Sequence, residues 1–409
     1  MIFNLNELAV ALSHALDFME IDFLGGVTYH SKRVAYIASR LAEKLGLSSQ
    51  ADFDVVTLSI LHDNGIGAAV QWSSSGLLAS GMDRHGDLSK VDSGAFHCVA
   101  GEENVRGYPF LTDVSNVLKY HHENWDGSGF FHVSAADIPL LARIIRLADV
   151  VELHSRLDGI DFSGKRDLEE WTATRRGRLF SPEVVDAFLQ TIHSPAFWMD
   201  LRSEFIDSAL AKRVPRFERE LSFQGIREVT SIFSRIIDSK SRFTSQHSQE
   251  LSERVGRMAG HYGMDETATS KLRIAADLHD VGKLAVSNAI LEKPGKLDPP
   301  ETDVIQRHTY YTRISLQSIS GFEDITEWAA NHHEKLDGSG YPFGLAAGAL
   351  DFNSRMMACL DIYQALTELR PYREALSHDR ALGIMREMVR YGKLDGAVVE
   401  DIDGVFAQA

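Results

Sequence analysis

The strongest constraint on this chain is a repeat in histidine spacing. His30 to His62 spans 32 residues, and so does His247 to His279. His97 to His121 spans 24 residues, and so does His308 to His332. His122 to Asp149 spans 27 residues and His333 to Asp361 spans 28. The one large difference is His62 to His97, 35 residues against 29, and the six extra residues fall in the Gly/Ser-rich segment Ser73 to Gly86. Each half carries a paired-histidine stretch: His121-His122-Glu123-Asn124-Trp125-Asp126-Gly127-Ser128-Gly129 and His332-His333-Glu334-Lys335-Leu336-Asp337-Gly338-Ser339-Gly340. A tandem duplication is the simplest account, so one chain has to build the same site design twice.

The pattern between these histidines is helical. Residues 31–46 place Val34, Ile37, Ala38, Leu41 and Leu45 at three-four spacing and stop at Gly46. Residues 248–263 repeat that layout with Leu251, Val255 and Met258, closed by Gly263. Alternating strand-type runs are scarce. The expectation is therefore an all-α chain of two tandem helical bundles. They meet near Pro215 in a charged connector, with one domain over 1–213 and the other over 214–409. The chain has 409 residues with 44% hydrophobic content, enough for two cores.

Charge narrows the partners. A formal net charge of -16 argues against a nucleic-acid polymer, whose phosphate backbone needs a basic face. It leaves a small phosphate ligand open, because bound cations reverse local charge. The two cysteines, Cys98 and Cys359, lie far apart in sequence, so no disulfide framework exists and a reducing cytoplasm is expected. Both read as buried small apolar residues. The N-terminal sequence shows neither a signal peptide nor a membrane span.

In the C-terminal half seven donors recur: His247, His279, Asp280, His308, His332, His333 and Asp361. Seven nitrogen and oxygen ligands exceed what one tetrahedral zinc uses. They suit two divalent ions about 3.5–4 Å apart that share a carboxylate. Asp280, beside His279, is the natural bridge. Imidazole and carboxylate without thiolate point to Fe, Mn, Zn or Ni. Such a pair activates water at neutral pH and clamps a phosphate for in-line displacement. Lys283, three residues after Asp280, reaches the same cavity and neutralises a phosphate oxygen. Glu334 and Asp337 read as supporting or capping groups, and Gly340 and Pro342 as loop-shaping residues.

This set resembles the HD-GYP family, a branch of the HD-domain phosphohydrolases. The matching pieces are His247-Ser248, His279-Asp280-Val281-Gly282-Lys283, Lys293-Pro294-Gly295-Lys296-Leu297, His308, His332 through Pro342, and Arg370-Pro371-Tyr372-Arg373. The resemblance implies a bacterial phosphodiesterase of cyclic dinucleotides, either cyclic di-GMP or 3',3'-cyclic GMP-AMP, giving the linear dinucleotide. It implies one metal on His247, His279, Asp280 and Asp361, and another on Asp280, His308, His332 and His333, with Fe or Mn ahead of Zn or Ni. Asp280 and Lys283 would serve catalysis. Lys283, Arg370 and Arg373 would contact phosphate, and Gly340-Tyr341-Pro342 would shape the substrate wall. Where some members carry a Glu for a third metal, this chain has Phe243, and Gly26 in the other half. Two ions are therefore expected.

The N-terminal half departs from the pattern. All seven donors are present, as His30, His62, Asp63, His97, His121, His122 and Asp149, so a second metal pair is conceivable there. Yet Lys283 is answered by Ile66, Tyr341-Pro342 by Phe130-Phe131, and nothing answers Arg370 and Arg373. That half reads as regulatory: a nucleotide sensor, a structural metal module or a surface for a homodimer. Two further readings stay beside the phosphodiesterase. One is a module that binds metal and cyclic dinucleotide without turnover. The other is a different metal chemistry, either a nucleotide phosphohydrolase or a di-iron oxygenase.

Overall fold

The computed structural model describes residues 2–24, 28–67, 93–155, 157–238, 247–369 and 374–407. Arg370, Pro371, Tyr372, Arg373, Phe243 and Gly26 lie outside the described residues. Two short strands, β1 (Ile2–Asn4) and β2 (Glu218–Glu220), pair in the one sheet among the described residues. Every other named element among the described residues is helical, as expected of an all-α chain. No described helix is long and apolar enough to cross a membrane.

Helix α1 (Leu5–Leu24) opens the chain. The N-terminal unit follows with α2 (His30–Lys44), α3 (Ser49–Leu61), α4 (Ser93–Asn104), α5 (Leu140–Ser155), α6 (Phe162–Ala173), α7 (Pro182–Thr191), α8 (Pro195–Asp200) and α9 (Ile206–Arg213). The C-terminal unit contains α10 (Phe223–Asp238), α11 (His247–His261), α12 (Glu266–Leu278), α13 (Asn288–Leu291), α14 (Pro299–Gln306) and α15 (His308–Leu316). It continues with α16 (Glu323–Ala330), α17 (Phe352–Thr367), α18 (His378–Arg390) and α19 (Gly396–Phe406).

Both units are built on the same helical hairpin. Helix α2 ends at Gly46, φ +70°, and α11 ends just before Gly263, φ +64°. In each, the amide beyond the glycine reaches back into the last turn, Leu47 to Ala42 and Met264 to Ala259. This is the left-handed stop that glycine adopts without strain. The return helix is capped by a side-chain oxygen, Ser48 to the Ala51 amide and Asp265 to the Ala268 amide. The consequence is positional. His30 and His247 each begin the first helix, while His62 and His279 each cap the end of the second. The hairpin thus brings two histidines 32 residues apart to one end of the bundle.

A glycine then sets the next element. A Cβ at Gly282 would lie 1.9 Å from the carbonyl oxygen of His308, and one at Gly65 would lie 2.2 Å from that of His97. In both units a bare backbone lets the third histidine helix approach the His-Asp turn.

The sequence assigned residues 1–213 to the first domain and 214–409 to the second. The chain divides instead into Gly26–Glu218 and a unit that joins Met1–Gly25 to Arg219–Ala409. Helix α1 packs on the turn Val281–Ala285 and on α15, burying Leu5, Leu8, Ala11 and Leu12 completely. Phe3 and Phe18 add ring contacts to Phe322 (5.9 Å) and Tyr311 (4.5 Å). Each such side chain contributes about 1.5–3 kcal/mol of burial. The first helix in sequence therefore backs the His-Asp turn of the second repeat.

Candidate metal centres

In the C-terminal unit the seven predicted donors converge. His247 Nε2 lies 3.3 Å from Asp361 Oδ1, and His279 Nε2 lies 3.3 Å from Asp280 Oδ2 and 3.9 Å from Asp361 Oδ1. On the other side of Asp280, its Oδ1 is 3.6 Å from His308 Nε2 and 4.0 Å from His332 Nε2. His333 Nδ1 lies 3.6 Å from Asp361 Oδ2. Two donor groups, His247/His279/Asp280 and His308/His332/His333, each have their ligand atoms within 4.8 Å of one another. Asp280 reaches both.

Hydrogen bonds decide which nitrogen faces the centre. His279 Nδ1 donates to the Ala276 carbonyl (2.7 Å), His308 Nδ1 to that of Ile305 and His332 Nδ1 to that of Ala329 (2.6 Å). Each carbonyl sits three residues earlier, so the helix end itself selects the tautomer and leaves Nε2 as a lone pair. The Nε2 atoms of His308 and His332 then face each other at 3.3 Å. His279 Nε2 and Asp280 Oδ1 are buried with no hydrogen-bond partner. Opposed lone pairs and an orphan carboxylate oxygen in a buried site call for cations between them. The donor set fits divalent ions.

The electrostatics agree. Burial pushes Asp280 up, but His279 and Lys283 outweigh it and hold the carboxyl well below its usual range. Asp361 is likewise held low, with His247 and His333 overcoming burial. Burial pulls His308 down to about 3 and His333 to about 4, which leaves both imidazoles neutral. Anionic carboxylates beside the neutral imidazoles of His308 and His333 are the protonation states that metal binding requires. His247 differs: burial pulls it down, but its hydrogen bonds to Asp361 and Glu368 outweigh that and push it up to about 9, so an ion there displaces a proton.

Lys283 enters from the one-turn 3-10 segment Val281–Ala285 rather than from the regular helical turn expected. It places Nζ 2.6 Å from Asp280 Oδ2. Tyr341 sets its ring, tilted by 43°, 4.9 Å from that of His333, and burial pushes its phenol up, so it stays protonated. Gly340 lies where a Cβ would meet the Glu334 backbone at 2.4 Å. Buried Glu334 accepts from the amides of Phe343 and Leu345 at 2.7 and 2.9 Å and so pins the loop that carries Tyr341 and Pro342. Glu123 does the same for Phe131 and Val133 in the first repeat.

The sequence reading missed two carboxylates. Glu368 Oε2 lies 3.0 Å from His247 Nδ1, and Glu152 Oε2 lies 2.6 Å from His30 Nδ1. They sit seven and three residues after the repeated aspartate, so no common spacing marks them.

The N-terminal unit gathers its donors too. His30 Nε2 is 3.3 Å from His62 Nε2 and 3.5 Å from Asp149 Oδ1, and His62 Nε2 is 3.2 Å from Asp63 Oδ2. Two further groups stand in this centre. Cys98 is buried, as expected, but its Sγ lies 3.7 Å from His97 Nε2, so a thiol does join the His97, His121 and His122 group. And a cation does stand in this centre: Arg146 donates from Nη1 to His122 Nδ1 (3.2 Å) and from Nη2 to Asn124 Oδ1 (2.9 Å). The C-terminal repeat has Ala358 at that position, three residues before Asp361.

Comparison with known proteins follows the same lines. The HD domain family matches residues 27–153 and again, in a second form, residues 231–398. The 3'3'-cGAMP-specific phosphodiesterase 1 of Vibrio cholerae serotype O1 is 32% identical, over 98% of this chain and 91% of that protein. The cyclic di-GMP phosphodiesterase response regulator RpfG of Xanthomonas campestris pv. campestris is 37% identical over 39% of this chain and 43% of its own. The crystal structure of a cyclic GMP-AMP specific phosphodiesterase of V. cholerae superposes with a TM-score of 0.68 at 25% identity, covering 100% of this chain and 99% of that one. With its paired histidine hairpins and its full-length relatives, this chain belongs to the HD-GYP branch of the HD-domain phosphohydrolases, as a tandem of two HD domains.

Proposed function

We propose that the C-terminal unit hydrolyses a 3',5' cyclic dinucleotide to its linear form, with 3',3'-cyclic GMP-AMP as the substrate, at a centre of two divalent ions. The observation that carries this reading is Asp280, a buried carboxylate lying between two histidine groups whose lone pairs face inward. The choice of base rests on relatives. Those that align along the whole tandem are named for cyclic GMP-AMP, whereas the match named for cyclic di-GMP spans only part of the chain.

His247, His279, Asp280 and Asp361 would hold one ion, and Asp280, His308, His332 and His333 the other; the all-N/O donor set suits Fe, Mn, Zn or Ni, and the family resemblance puts Fe or Mn first. When bound, the ions supply an acidified water for attack on phosphorus and neutralise the charge that builds on the phosphate. The rest falls to side chains. Glu368 orients His247, and the backbone carbonyls of Ala276, Ile305 and Ala329 orient the other imidazoles. Lys283, whose ammonium lies 2.6 Å from Asp280 Oδ2, would neutralise a phosphate oxygen beside the centre. Tyr341 walls one flank and offers a phenolic donor, and Pro342 and Gly340 fix the loop behind it. Arg370 and Arg373 would add phosphate contacts from outside the described residues. The bond that breaks is P–O3', and the 5' linkage keeps the phosphate. The two free, buried cysteines fit a cytoplasmic protein.

The test is Asp280→Asn in the full chain, assayed on cyclic GMP-AMP and cyclic di-GMP with Mn(II) or Fe(II). The expected result is a loss of turnover of roughly 10³-fold or more, with the circular dichroism spectrum unchanged. Full turnover in that variant refutes the centre. A tenfold preference for cyclic di-GMP in the wild type refutes the substrate.

A further inference from the structure

The two repeats share their seven donors, yet their hydrogen-bond networks differ at one half of the centre. In the N-terminal unit His30 donates Nδ1 to Glu152 and His62 donates Nδ1 to the Ser59 carbonyl (2.7 Å). Their Nε2 atoms therefore face each other at 3.3 Å, beside the carboxylates of Asp63 and Asp149. Distances of 3.2–3.9 Å among these four donors approach the roughly 3.0–3.4 Å edges expected when each ligand stands about 2.1 Å from one ion.

The other half is arranged differently. A guanidinium has only donors, so His122 Nδ1, 3.2 Å from Arg146 Nη1, must accept. Its proton then sits on Nε2, which points at His97 Nε2 at 3.2 Å and donates to it. One donor–acceptor chain, Arg146 to His122 to His97, uses a lone pair on each of these two imidazoles, and of the three histidines in this group His121 alone keeps a buried Nε2 without a hydrogen-bond partner. In the C-terminal unit the corresponding group holds two opposed lone pairs, on His308 and His332, and Ala358 stands at the position of Arg146. Asn124, which anchors Arg146 through its side-chain oxygen, is likewise replaced by Lys335. The arginine and its anchor are thus specific to the first repeat.

We propose that the N-terminal centre binds one divalent ion, on His30, His62, Asp63 and Asp149, and that Arg146 supplies the positive charge in place of the second. The unit then keeps a metal-stapled HD core and lacks the ion pair that in-line phosphate displacement uses.

The test counts metal in the full chain, stripped with chelator, reloaded with Mn(II) alone and desalted. Asp63→Ala is expected to bind one ion fewer than wild type. A loss of two, or of none, overturns the proposal. This difference is independent of the C-terminal count and of phosphodiesterase activity. Arg146→Ala, which installs the residue of the other repeat, is expected to gain one ion, and an unchanged count overturns the role of Arg146. Because Asp63→Ala could unfold its unit, anomalous scattering from Mn-loaded wild-type crystals gives a second reading. One peak among His30, His62, Asp63 and Asp149, and none at His97 and His122, is expected. Two peaks or no peak there overturns the proposal.

Discussion

At the residue scale, the partner of one ring nitrogen decides how a histidine presents the other to the candidate centre. His279, His308 and His332 spend Nδ1 on a carbonyl three residues earlier, so helix geometry itself aims Nε2 inward. His247 begins its helix, and its Nδ1 takes Glu368. Glu368→Gln keeps the shape and removes the anion. Losing a carboxylate partner of a ligating imidazole typically weakens metal binding by about 10–100-fold. Competition titration with Mn(II) should show a loss in that range at the C-terminal centre. An unchanged affinity would mean that Glu368 only packs there.

At the element scale, the recurring device is the helical hairpin with a glycine behind its His-Asp turn. Gly282→Ala would drive a methyl into the His308 carbonyl, a backbone atom that cannot step aside. Overpacking of this kind should cost about 3 kcal/mol or more and displace His308. Thermal melts with metal titration should show both effects together. Gly383, exposed within α18, meets nothing within 4 Å. Gly383→Ala should instead raise stability by about 0.5–1 kcal/mol through helix propensity, and it serves as the contrasting variant.

At the scale of the whole molecule, α1 is far in sequence from the unit that contains it. Leu12 is fully buried, and α1 rests on the Val281–Ala285 turn and α15, both neighbours of the candidate centre. Leu12→Ala should cost about 2–5 kcal/mol. Denaturant melts monitored at the C-terminal unit should register the loss; a melt unchanged within error would contradict this packing. By the same physics, 214–409 produced without the first 25 residues should be less stable than the same segment mixed with a peptide of residues 1–25.

Much of this protein was legible in the order of its residues. Histidine spacing, helical periodicity and the His-Asp-x-Gly turns are local or repeating features; they specified an all-α tandem and marked fourteen candidate donors, whose side chains lie in two clusters. Other features were not legible. Glu368 and Glu152 reach their histidines from unequal offsets, Cys98 looks like any buried small residue, and Arg146 looks like a charge on an amphipathic helix. The membership of α1 in the distant repeat left no mark on the sequence either. Each of these depends on which surfaces meet after the chain closes on itself, and on the direction in which a proton is donated across a contact. Periodicity tells which face of a helix is apolar; only tertiary packing chooses the neighbour against that face and the tautomer it imposes.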